Sequence, residues 1–124
     1  MRTIKFRVWD KAYNKMVLPE KSNKYWINLL GDVREYDTWA NEVVLMQFTG
    51  LHDKNGKEIY EGDIIKTENH ATGIVTFYAD EYGARFGFDC REPMFHHPIY
   101  GMGGKKEIIG NIYENPELLV DKNK

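Results

Sequence analysis

The stretch Leu45–Lys66, LMQFTGLHDKNGKEIYEGDIIK, constrains the fold more than any other part of this chain. An apolar run, a tight turn, a short second strand and the entry to a third follow one another in it, with no room for a helix. Asp53-Lys54-Asn55-Gly56 is a turn with a mechanism: an aspartate bonds backbone N–H groups just ahead of it, and Asn-Gly accepts positive φ at little cost. Glu61-Gly62-Asp63 bends the chain again before Ile64-Ile65. This stretch specifies architecture and holds no catalytic constellation.

The same alternation runs through the rest. Ile4, Phe6 and Val8 fall on one face of a first strand, Lys5, Arg7 and Trp9 on the other, which predicts a half-buried strand. Asp10–Asn14 is its loop and Lys15–Leu18 its return, stopped by Pro19, which has no N–H for a ladder. Tyr25–Leu30 and Val33–Tyr36 read as strands around Gly31-Asp32, and Asp37–Asn41 is ambiguous: Asp37 or Thr38 could cap one helical turn, but the run is too short to assign a helix. Glu42–Phe48 is the most apolar strand, and Ile64–Glu68, Ile74–Tyr78 and Arg85–Cys90 continue the series. Arg91–Gly104 carries Pro93, Pro98 and glycines at 101, 103 and 104, and is expected to be a long loop. Glu107–Tyr113 is the last strand, and Asn115-Pro116-Glu117 opens a helical turn with Asn115 as N-cap.

Short strands at this spacing predict a mainly β chain: a small SH3-like barrel or a twisted antiparallel sheet, with an N-terminal hairpin and a short C-terminal helical turn. We expect one domain over residues 1–124, with β hairpins in 1–41 and a barrel-like core with the C-terminal strand and turn in 42–124. Leu45, Phe48, Ile59, Ile64, Val75, Phe77, Ile109 and Ile112 are the expected core.

Composition bounds what such a chain does. Hydrophobic residues at 42% and aromatics at 14% suffice for a core, and a net charge of −2 removes the simplest electrostatic case for nucleic-acid binding. The single cysteine, Cys90, excludes an internal disulfide and fits a reducing compartment. No apolar run reaches the length of a signal peptide or a membrane span, so a cytoplasmic protein without a membrane partner is expected.

Cys90, His96 and His97 are residue types that Zn²⁺ accepts, although adjacent histidines rarely reach one ion and no paired motif completes the set. Asp53-Lys54-Asn55-Gly56 has its glycine in the wrong place for a calcium loop, and Gly101–Lys106 lacks the spacing of a phosphate cradle. His52, Asp53, Glu58, Glu61 and Asp63 lie close together, but a hairpin histidine facing a carboxylate is ordinary cross-strand pairing. We therefore assign no catalytic residue and no cofactor. Lys5, Arg7, Trp9 and Lys11 interleave cations with an aromatic as single-strand binders do; the plain alternative is a solvated strand face. Finally, Trp26, Trp39, Tyr78, Tyr82, Phe95 and Tyr100 are many large aromatics for a small chain, several beside predicted loops. Aromatics are enriched at interface cores, which favours a homo-oligomer that also meets a protein partner of unknown identity.

The blocks IKFRVWDKAYNKM (Ile4–Met16), LMQFTGLHDKNGKEIYEGDIIK (Leu45–Lys66) and EIIGNIYENPELL (Glu107–Leu119) make the chain resemble the YopX family of phage- and prophage-encoded proteins over nearly its whole length. The resemblance implies a small, mainly β accessory protein of phage or prophage origin that assembles into homo-oligomers. It implies no enzymatic activity and supplies no catalytic residues.

Overall fold

The computed structural model describes residues 3–18, 25–27, 33–35, 38–39, 43–67, 72–81, 83–90, 95–98 and 106–119. Twelve strands account for most of them: β1 (Phe6–Asp10), β2 (Lys15–Val17), β3 (Tyr25–Ile27), β4 (Val33–Glu35), β5 (Thr38–Trp39), β6 (Val43–His52), β7 (Glu58–Tyr60), β8 (Asp63–Thr67), β9 (Thr72–Asp80), β10 (Gly83–Cys90), β11 (Phe95–Pro98) and β12 (Lys106–Asn111). A 3-10 turn, Pro116–Leu119, is the one helical element among the described residues. The chain divides into two compact units, residues 1–48 and 49–124, with the division inside β6.

In the first unit β1 lies between β2 and the early part of β6, both antiparallel, with Val8 opposite Val17 on one side and Leu45 on the other. Val8 is fully buried, with Val17, Val43 and Leu45 packed on it. Packing covers both faces of β1 and not one, since Val8 on one face and Arg7 and Trp9 on the other are all buried. Arg7, Trp9 and Asp10 are buried beside Val8, whereas Ile4 is 62% exposed. This corrects the expected division of β1 into a dry face and a wet one. Asp10 explains the turn: its Oδ1 accepts the N–H groups of Ala12 and Tyr13, and Asn14 takes positive φ. The segment left open at Asp37–Asn41 contains β5, and β3, β4 and β5 form a small antiparallel sheet in that order.

The second unit is a five-stranded antiparallel sheet, β11-β10-β9-β8-β12, curled into a half-barrel. Its core joins Ile59, Ile65, Val75 and Phe88, with Leu51, Phe86 and Ile108 packed around them. Burying a side chain such as Phe88 contributes about 2–3 kcal/mol. Of the expected core, Phe48, Ile59, Ile64 and Val75 are buried, and Leu45, Ile109 and Ile112 are half-buried. Phe77 is a correction, because it is 44% exposed. The expected long loop at Arg91–Gly104 is also corrected: β11 lies within it, at the sheet edge, with Pro98 at its end opposite Gly87. Proline is tolerated at such an edge position.

Two corners hold this unit together. Gly62, at φ 85°, donates its N–H to Val75 and accepts from Ile112 N–H through its carbonyl, while the buried Asp63 carboxylate accepts Tyr60 N–H at 2.8 Å. The 53–57 turn is the other corner, and it docks on β12. Asp53 Oδ1 accepts from Asn55 N and Lys57 N, Asp53 Oδ2 accepts from Ile108 N, and Lys54 N donates to the Lys106 carbonyl. The turn read from Asp53 to Gly56 is thus both a hairpin and a clamp across the sheet edge.

Candidate functional site

The part of the second unit that its own core does not absorb is the far end of the β9–β10 hairpin. The two strands pair from Cys90 opposite Gly73 to Gly83 opposite Asp80, whereas β8 pairs with β9 only from Lys66 opposite Thr72 to Ile64 opposite Ile74. Past Ile74 the two strands run on as an arm. Because opposite residues share a face, one side of the arm carries Val75 and Phe88, then Phe77 and Phe86. The first pair is 1% exposed and belongs to the core. Further out, Phe77 and Phe86 meet edge to face, 5.2 Å between centroids, with Phe77 open to solvent.

The other side is polar. Arg85 sits opposite Tyr78, with its guanidinium 5.5 Å from the ring centre. It donates two hydrogen bonds to the Asp80 carboxylate, at 2.9 and 3.1 Å. Burial, and after it the charge of Asp89, raise the pKa of the Tyr78 phenol, against the nearby Thr76 hydroxyl and the charge of Arg85. These contacts stiffen the arm. They bring no nucleophile next to a base, and the arrangement presents an aromatic surface carried on a braced hairpin.

The residues singled out from sequence fall elsewhere. On β1, Arg7 and Trp9 are buried, Lys5 is half-buried with its ammonium 5.9 Å from the Phe48 ring centre, and Lys11 is exposed in the turn. The four do not share a solvated face. Cys90 and His97 occupy strand positions opposite Phe95 and Phe88, while His96 lies opposite Asp89. In the acidic group, Asp53 and Asp63 are spent on backbone N–H groups, and Glu58 Oε1 accepts from the Tyr60 hydroxyl at 3.3 Å. Of the aromatics proposed for an interface, Tyr78 is half-buried on the arm, Trp26, Trp39 and Phe95 lie in strands, and Tyr82 and Tyr100 fall outside the described residues. Sequence reasoning missed Phe77 as a surface group. The sequence carries no signal for this, because the unequal lengths of the neighbouring strands appear only in the register.

Comparison with known proteins places the chain. The family described as "YopX protein" matches residues 5–120. Among solved structures, protein EF1440 from Enterococcus faecalis is 31% identical, with a TM-score of 0.59, 97% of this chain covered and 100% of that one. Protein yopX from Bacillus subtilis shares the fold at 20% identity, with a TM-score of 0.58 and 98% of each chain covered. No curated protein matches. On the family match and the Enterococcus relative together, this chain is a member of the YopX family.

Proposed function

We propose that this is a non-catalytic accessory protein of phage or prophage origin that acts in the host cytoplasm by binding protein, first of all further copies of itself. The observation that carries this reading is Phe77, 44% exposed on the β9–β10 arm and held edge to face against Phe86, which itself packs on the core. A two-stranded arm is marginal on its own, and large aromatics open to water are a recurrent feature of interface cores. The origin follows from what the family resemblance implies. Sedimentation velocity over a range of concentrations tests the reading. The wild-type chain should sediment as an oligomer and Phe77→Glu should shift it toward the monomer, with its circular dichroism unchanged. A wild-type chain that stays monomeric throughout would overturn the proposal.

A further inference from the structure

Asn55 is the single asparagine in the chain that glycine follows. Both residues are exposed in the 53–57 turn, and Gly56 takes φ 84° with open space where a Cβ would stand. We infer that Asn55 is a self-modifying site, an amide that converts to aspartate and isoaspartate and thereby loosens the turn's hold on β12. The inference is independent of self-assembly.

The chemistry needs only water and base. The backbone nitrogen of Gly56, once it has lost its proton, attacks Cγ of Asn55; the Cγ–Nδ2 bond breaks and ammonia leaves. The resulting five-membered succinimide adds water at either carbonyl and opens to aspartate or isoaspartate, with no oxidation or reduction. In the closed turn the Gly56 N–H is engaged by the Asp53 carbonyl at 3.0 Å, so attack waits for that bond to open. The rate of modification therefore follows local opening of the turn.

The products act on the clamp in two ways. Isoaspartate adds a backbone carbon between positions 55 and 56, in a turn where the N–H groups of Asn55 and Lys57 both converge on Asp53 Oδ1 at 2.9 Å. That spacing does not survive an extra atom. Either product also puts a carboxylate beside Glu107, whose Oε2 is now 3.5 Å from Asn55 Nδ2, and competes for Lys54 Nζ, 3.7 Å from Glu107 Oε1. Both effects weaken the bond from Ile108 N to Asp53 Oδ2.

The test is to age the full chain at mildly alkaline pH, separate the charge variants by ion exchange, and map isoaspartate and backbone amide exchange by mass spectrometry. Modification at Asn55 should outpace every other asparagine several-fold and be abolished in Asn55→Gln. In the isoaspartate fraction the Ile108 amide should exchange several-fold faster than in untreated protein. Asn55→Asp, which adds charge without the extra carbon, should accelerate it less. Asn55 reacting no faster than the other asparagines, or an isoaspartate fraction with Ile108 still fully protected, would overturn the inference.

Discussion

At the scale of single residues, the buried carboxylates are turn devices. Asp53 is 6% exposed and serves three backbone N–H groups on two elements. Burial alone would raise its pKa, but the hydrogen bonds from Ile108, Lys57 and Asn55, with the charge of Lys57, hold it below the ordinary value. A carboxyl depressed on folding contributes stability that is present above its unfolded value, about pH 4, and lost as pH falls through the lower folded one. Asp53→Asn turns an amide N–H toward a donor or forfeits one acceptor, and should cost about 1–3 kcal/mol at pH 7. In urea titrations the gap between wild type and variant should narrow as pH drops below about 4. A gap that stays constant down to acid unfolding would contradict this role. The turn chemistry at Asp53 was legible from its spacing to Gly56. The burial of Arg7, Trp9 and Asp10 was not, because alternation shows which residues share a face and cannot show whether both faces are covered.

At the scale of elements, the edge strand β12 is closed at three points. Ile108 N–H is held by Asp53, the Lys106 carbonyl by Lys54, and Asn111 N–H by the side chain of Asn115, with a register shift between Ile108 and Gly110. Open sheet edges invite pairing with other chains, and a clamp, a bulge and a folded-back side chain all discourage it. Asn115 was expected to cap the helical turn. Its side chain instead turns back to Asn111, while its backbone carbonyl takes the first 3-10 bond from Leu118 N. A Cβ at Gly110 would lie 2.5 Å from Asn115 Oδ1 and 2.9 Å from its Cβ. Gly110→Ala should therefore destabilise by about 1–3 kcal/mol. In an Asn115→Gly background the same change should cost markedly less, a coupling that a double-mutant cycle of chemical denaturations measures. Equal costs in both backgrounds would show that the crowding lies elsewhere. The strands around this edge were legible as a run of short alternating segments, but their order in the sheet was not. β11 was hidden because Pro93, Pro98 and the glycines after them read as loop, and an edge position that tolerates proline leaves no mark in the sequence.

At the scale of the whole molecule, the proposed self-association would make thermal stability a function of concentration. A ligand that binds only the folded form raises Tm by mass action, and a second copy is such a ligand. The wild-type Tm should rise with protein concentration, and in Phe77→Glu it should become flat; parallel slopes for the two proteins in calorimetry would argue against the arm as the contact. Phe77 looked like core because β9 alternates without interruption past Val75, and the sequence does not show where β8 stops. A different consequence follows from the clamp between Asp53 and Ile108, which lie 55 positions apart. During synthesis β8 emerges well before its neighbour β12, so one side of the growing sheet stands unpaired until residues 106–111 clear the ribosome. The nascent chain is thus open to mispairing in that interval, and β12 closes the exposed edge only late in synthesis.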